Sequence, residues 1–255
     1  MKETGIIFNG DMVRATLSGQ KTQTRRIMKP QPTPCDYVDE HGKARGGHQW
    51  PSNIFRAMLH VERELQNGQG GWKGLVGDAC PYGDVGDRLW GREKWGVVSH
   101  AFDDDGFMTS WTPDRPATAI HEMSFGKGYY SGHVIYAADG SFTWGDDDGH
   151  VDGRSCWKPS IHMPRAASRI LREIIDVRVE RLNDISEEDC WAEGIDAVDG
   201  RFENAEIIDM ARKIGCCIDD AKPMFALLWQ SIYGAESWNE NPWVWVVSFK
   251  RIEGE

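Results

Sequence analysis

The stretch Gly19-Gln20-Lys21-Thr22-Gln23-Thr24-Arg25-Arg26 concentrates the residues best suited to chemistry. A Lys ammonium beside a Thr hydroxyl can orient it, and a neutral, desolvated Lys can accept its proton and make the alcohol a nucleophile. In an extended chain Lys21, Gln23 and Arg25 share one side, and Thr22, Thr24 and Arg26 the other. Lys21 and Thr24 therefore meet only through a turn or bulge. An exposed polar strand would use the same residues. Glu193 is a second candidate, in Trp191-Ala192-Glu193-Gly194 at the end of a short helix. A helix dipole disfavours an anion at that end. Pairing with a cation, or polarising a substrate, would account for the cost; a surface Glu is the plain alternative.

Other chemistries find little here. Cys35, His41, His48, Cys80, Cys156 and His162 lack the paired spacing of a structural zinc site, so no metal is expected. Asp103-Asp104-Asp105 and Asp146-Asp147-Asp148 lack the alternating oxygen ligands and closing Glu of a calcium loop, and read as solvated loops. There is no GxxxxGK[ST], no GxGxxG and no GxSxG, so phosphate-loop, dinucleotide and serine-hydrolase readings lose support and no cofactor is expected.

The elements that must position Lys21, Thr24 and Glu193 follow from periodicity. Ile6–Phe8 reads as a strand, followed by a helix capped by Asp11 and stopped at Gly19. Residues 20–27 read as a strand ended by Pro30 and Pro32. Residues 33–75 read as an insertion with a helix near Asn53–Leu65. Cys80-Pro81-Tyr82-Gly83-Asp84-Val85-Gly86-Asp87 is a turn feeding a strand over Arg88–Trp95. Residues 99–153 form an acidic insertion containing the strand His133–Tyr136. A long strand covers Ser168–Leu182. Ser186-Glu187-Glu188-Asp189 opens the helix that ends at Glu193. Further helices cover Asn204–Ile214 and Lys222–Tyr233, and a final strand follows Pro242. Strands outnumber helices and βαβ alternation is absent, which favours an α+β fold, a small mixed barrel with flanking helices, over a doubly wound sheet.

The composition is that of a globular protein: 255 residues, 40% hydrophobic, 27% charged, net charge −11. No apolar run reaches the length of a membrane span. Met1-Lys2-Glu3-Thr4-Gly5 has no apolar stretch behind its Lys, so a secretory signal is not expected. The six irregularly spaced cysteines read as reduced thiols of a cytoplasmic protein. Net acidity argues against nonspecific duplex binding. The charge is uneven, however: residues 1–30 carry +4, residues 155–183 carry +3, and residues 101–153 carry −8. A local basic cleft on an acidic body fits this pattern, as does a salt-bridged surface.

Three segments, in order, resemble the ASCH domain family of the PUA-like superfamily. They are Gly19–Arg26, Gly86-Asp87-Arg88-Leu89-Trp90-Gly91-Arg92-Glu93, and Ile185–Gly194. The first is similar to the family's G-x-K-T-x-T-x-R signature, the second to its G-D strand entry, the third to its helix ending in Glu. Lys-Thr-x-Thr-Arg-Arg followed by Pro30-x-Pro32 and Cys80-Pro81-Tyr82-Gly83 resembles ASCH proteins of phages and prophages. The resemblance implies one ASCH domain over 1–255, interrupted by insertions 33–75 and 99–153, with a β-barrel and a cleft beside its helices. It also implies engagement of RNA or a modified nucleoside. Small family members are amidohydrolases of N4-acetylcytidine, and their catalytic Lys, Thr and Glu correspond to Lys21, Thr24 and Glu193.

Three functions stay open. In a hydrolase of an acylated nucleoside, Thr24 attacks, Lys21 moves the proton and Glu193 holds Lys21 or the base. In a noncatalytic reader of single-stranded RNA or a modified base, Arg14, Arg25, Arg26 and Arg169 contact phosphates while Trp90, Trp95 or Trp157 stacks on a base, with Arg92 beside Trp90. In a phage accessory protein, the acidic insertion binds a host protein. No membrane partner is expected.

Overall fold

The computed structural model describes residues 1–38, 41–51, 58–60, 76, 79–143, 156–195, 205–217 and 220–252. The strands are β1 (Glu3–Ile7), β2 (Gln23–Ile27), β3 (Thr33–Val38), β4 (Ala44–Pro51), β5 (Met58–His60), β6 (Arg88–Arg92), β7 (Trp95–Val98), β8 (His100–Phe102), β9 (Met108–Ser110), β10 (Thr118–Phe125), β11 (Gly128–Tyr136), β12 (Leu171–Arg181) and β13 (Trp243–Arg251). The helices are α1 (Gly10–Ser18), α2 (Glu187–Ala192), α3 (Ala205–Ile214) and α4 (Ala221–Tyr233). The fold is mixed α+β, with several sheets and few helices. No sheet among the described residues closes into a barrel.

The chain divides into two compact units. One comprises Met1–Glu3, Ser18–Arg88 and Arg172–Glu255; the other comprises Thr4–Leu17 and Leu89–Leu171.

In the first unit β13 lies between β12 and β2, antiparallel to both. The register pairs Thr24 with Val247 and Arg25 with Val246 on one side of β13, and Val179 with Trp245 on the other. Since side chains alternate across a sheet, one face carries Gln23, Arg25 and Ile27 with Val244, Val246 and Ser248. The opposite face carries Thr24 and Arg26 with Trp245, Val247 and Phe249. Val244 and Val246 are fully buried against Phe225 and Trp229 of α4, with Leu182, Ile185, Cys190 and Trp238 completing that core. The first face is therefore the helix-covered one. β3, β4 and β5 form a separate antiparallel meander. Met58–His60 is thus strand where a helix near Asn53–Leu65 was expected; the other residues of that span lie outside the described ones.

In the second unit β1 lies beside β6, and α1 buries Met12, Val13, Ala15 and Thr16. Its first turn is capped by Asn9, whose Oδ1 accepts from the Met12 N–H at 2.8 Å. Asp11, the expected cap, instead pairs with Arg14 at 2.6 Å. The expected strand over Arg88–Trp95 is two strands, β6 and β7, broken at Glu93-Lys94. The acidic segment is built around the meander β10-β11-β7 and the hairpin β8-β9. Its core is Trp95, Val134, Tyr136, Met163 and Ala167. Gly132 has φ 124°, and a Cβ there would stand 2.4 Å from the Val98 carbonyl oxygen, so only glycine fits this close crossing.

Candidate functional site

The site begins with α2. Ser186 caps it, its Oγ accepting from the Asp189 N–H at 3.1 Å. Glu193 is the C-terminal cap, and Gly194 follows with φ 84°, the left-handed conformation that ends helices. A helix end leaves carbonyls without partners. Here the residues preceding β2 supply them: Thr22 N–H donates to the Ala192 carbonyl at 2.8 Å, and Lys21 Nζ donates to the Glu193 carbonyl at 2.8 Å. The ammonium also complements the negative end of the helix.

Lys21 Nζ further donates to Glu193 Oε2 at 2.6 Å, across 172 positions of sequence. Lys21 is 1% exposed and Glu193 4%. The anion at a helix C-terminus is thus matched by a cation, one of the roles that the sequence left open for it. Burial pushes the Lys21 amine below its ordinary value. The charge and hydrogen bond of Glu193 pull it back up, and Arg26 and Arg25 push it down again, leaving it lowered.

The same face extends the pair into a network. Arg25 Nη1 donates to Gln23 Oε1 at 2.5 Å and to Glu193 Oε1 at 3.3 Å. Its Nη2 donates to Asp189 Oδ2 at 2.8 Å and Glu180 Oε2 at 3.1 Å. Gln23 Nε2 donates to Asp189 Oδ1 and Ser248 Oγ, both at 3.1 Å. Arg178 donates to Asp189, Asp176 and Glu180. Lys21, Arg25 and Arg178 are thus matched by Glu180, Asp189 and Glu193. Lys21, Arg25 and Glu193 are buried and the other three half-buried, and buried charges persist only when paired and hydrogen-bonded.

Thr24 is placed differently. Its register sets it on the opposite face from Gln23 and Arg25. It is 0% exposed, and its Oγ1 has no hydrogen-bond partner among the described residues. The structure therefore joins Lys21 to Glu193 and leaves the Thr24 hydroxyl uncommitted, as unbroken strand alternation requires. Arg26 is half-buried and donates to the Arg25 carbonyl at 3.2 Å.

Arg25, read from sequence as a phosphate contact, is instead enclosed at 1% exposure. The remaining binding candidates belong to the second unit. Arg169 is clamped by both oxygens of Glu93, at 2.9 and 3.0 Å, and both of Asp139, at 2.7 and 2.9 Å, and lies 3.9 Å over the Tyr136 ring. Its donors are spent on protein carboxylates, not offered to phosphate. Burial raises the Glu93 carboxyl above its ordinary value, with the Arg169 contacts opposing. Trp90 is buried beneath Arg92, whose guanidinium sits 4.7 Å from its ring centre. Trp95 is wholly buried, and Trp157 is half-buried. Arg14 keeps an exposed side chain and donates to the Ala138 carbonyl at 2.8 Å.

Sequence reasoning missed Asp189. The signal was present: Asp189 and Glu193 are four residues apart on a helix and share one face, matching Lys21, Gln23 and Arg25 at strand spacing. Among the described residues no three His, Cys, Asp or Glu side chains are grouped to hold a metal ion, no disulfide joins the six cysteines, and no helix is long and apolar enough to cross a membrane. In comparison with known proteins, no family model, no curated protein and no solved structure matches the chain.

Proposed function

We propose that this chain is an ASCH-type, PUA-like protein that engages a modified nucleoside and hydrolyses the N4-acyl amide of cytidine or a close relative. The observation that carries this reading is the enclosed Lys21–Glu193 pair, an amine held by a carboxylate at 2.6 Å with its proton affinity lowered by burial. A general base or acid works best when its pKa approaches the working pH, and a lowered Lys moves in that direction.

In the reaction, Thr24 Oγ1 attacks the acyl carbon and its proton passes to neutral Lys21. The C–N bond then breaks, and Lys21 returns that proton to the departing N4 nitrogen. Water hydrolyses the Thr24 ester, restoring the hydroxyl and releasing the carboxylic acid. Glu193 fixes the amine throughout. Lys21 and Thr24 lie on opposite sides of β2 in this structure, so the attack requires residues 21–24 to rearrange and bring the Thr24 hydroxyl beside the Lys21 amine.

Chromatographic assay of acylated nucleosides tests this. Wild type is expected to release cytidine from N4-acetylcytidine, and Lys21→Ala to lose at least about a hundredfold. Turnover surviving in Thr24→Val would make water the nucleophile in place of Thr24. Absence of wild-type turnover across a panel of acylated nucleosides would remove the proposal.

A further inference from the structure

Glu193 divides its carboxylate between two cations of one short segment. Its Oε2 accepts from Lys21 Nζ at 2.6 Å, and its Oε1 accepts from Arg25 Nη1 at 3.3 Å. A guanidinium is a planar fork of fixed shape, so whatever holds one prong decides where the other stands. The Nη2 prong is held from two elements: it donates to Asp189 Oδ2 of α2 at 2.8 Å and to Glu180 Oε2 of β12 at 3.1 Å. Gln23 Oε1 takes a further bond from Nη1 at 2.5 Å, and Gln23 Nε2 is itself tied to Asp189 Oδ1 and Ser248 Oγ, both at 3.1 Å. The Phe225 ring of α4 has its centre 6.0 Å from Arg25 Cζ.

This is more than neutralising Arg25 requires. Its single charge already faces Glu180 and Asp189. The third contact draws on Glu193, which among the described residues is the one carboxylate bonded to Lys21. Arg25 therefore competes with Lys21 for the same anion. Asp189 opposes that competition, because it neutralises the guanidinium and turns one prong away from Glu193. Arg178 enters at one remove, through its own bonds to Asp189 and Glu180.

We infer that Arg25 is a positioning residue for the Lys21 amine: by holding Glu193 Oε1 it limits what Glu193 gives to Lys21, and Asp189 sets how strongly it does so. The motif G-x-K-T-x-T-x-R leaves position 25 open, so the family resemblance assigns Arg25 nothing. That Lys21 acts as a base rests on the hydrolase reading; that Arg25 and Asp189 govern its proton affinity does not. The charged groups facing this pair are Glu193 and Asp189 from α2 and its end, Glu180 from β12, and Arg25 and Arg26 from β2. The electrostatics agree: burial is the largest influence lowering the amine, Glu193 opposes it, and Arg26 and Arg25 add to it. Two substitutions then act with opposite sign. Removing the charge of Arg25 leaves Glu193 wholly to Lys21 and raises the amine. Removing the charge of Asp189 leaves the guanidinium less neutralised and lowers it. A mere loss of packing has no such antisymmetry.

Carbon-13 NMR titration of the Lys21 Cε in the full chain, assigned by comparison with Lys21→Arg, reads the amine directly and needs no substrate. Relative to wild type, Arg25→Gln should raise the Lys21 midpoint by about one pH unit, and Asp189→Asn should lower it by about half a unit. Arg25→Lys keeps the charge without the fork and should fall between wild type and Arg25→Gln. Near-ultraviolet circular dichroism checks folding. In hydrolysis of N4-acetylcytidine the rising limb of kcat/KM should move with the midpoint, so that Arg25→Gln loses about tenfold near neutral pH and recovers at high pH. A midpoint unchanged in folded Arg25→Gln, or moved in the same direction by Arg25→Gln and Asp189→Asn, would overturn the role given to Arg25. Where Arg25→Gln does not fold, a midpoint unchanged or raised in Asp189→Asn would do the same. Midpoints that move as expected, in a protein that turns over no acylated nucleoside, would uphold this role and remove the hydrolase reading.

Discussion

Lys21 Nζ and Glu193 Oε2 stand 2.6 Å apart, and the same ammonium holds the Glu193 backbone carbonyl at 2.8 Å. One side chain thereby closes a helix terminus and neutralises the carboxylate that ends it. Removing Glu193 leaves the enclosed Lys21 ammonium without its carboxylate, whereas removing Lys21 leaves Glu193 with Arg25 alone. Glu193→Ala should cost about 3–5 kcal/mol in urea unfolding, and the double variant Lys21→Met/Glu193→Leu should recover most of that loss. A double variant as unstable as the single one would show that the pair contributes more than mutual neutralisation.

Asp189 ties acid stability to the same network. Burial alone would raise its carboxyl, but the charges of Arg25 and Arg178 outweigh burial and hold it below its ordinary value of 3.8. A carboxylate lowered in the folded state stabilises above its unfolded pKa, and that contribution is lost as pH falls through the lowered folded value. Asp189→Asn should be less stable than wild type by about 1–3 kcal/mol at neutral pH. The gap should narrow as pH drops below 3.8. A gap that is constant from pH 7 to pH 2 would exclude this ion-pair origin.

Ser186 sets where α2 starts and, seven residues on, where it delivers Glu193. Ser186→Ala should destabilise by about 1 kcal/mol, and Ser186→Asp, which retains an accepting oxygen, by much less. Equal losses in the two variants would point to something other than the cap.

In the second unit, Gly132→Ala should be severely destabilising, by more than about 2 kcal/mol, because the new methyl meets the Val98 carbonyl and the backbone is left-handed. Gly126→Ala makes a useful contrast: its φ is 63° but no atom lies within 4 Å of the added carbon, so its cost should be the smaller.

Much of this arrangement is legible in the sequence where a local rule governs it. The capping pattern from Ser186 locates α2, and the strand period separates Lys21, Gln23 and Arg25 from Thr24. The Lys21–Glu193 contact needs long-range information, which the ASCH resemblance implied and no periodicity contains. Arg25 was misread for a physical reason. A basic residue in a polar strand suggests solvent or phosphate, whereas three carboxylates from β12 and α2 enclose it. Arg169 was misread in the same way, since its partners Glu93 and Asp139 are 76 and 30 residues distant. Trp90 and Trp95 show that an aromatic-rich composition says little about exposure. The expected helix near Asn53–Leu65 rested on weak spacing, and pairing with β4 makes Met58–His60 a strand.

The pH dependence of N4-acetylcytidine hydrolysis, measured for wild type and Lys21→Ala, bears most directly on the catalytic role given to Lys21. The wild-type kcat/KM should rise with pH through an ionisation below 10.5, the ordinary value for Lys, and that limb should vanish together with most of the turnover in Lys21→Ala. Turnover of Lys21→Ala matching wild type at every pH would contradict that role.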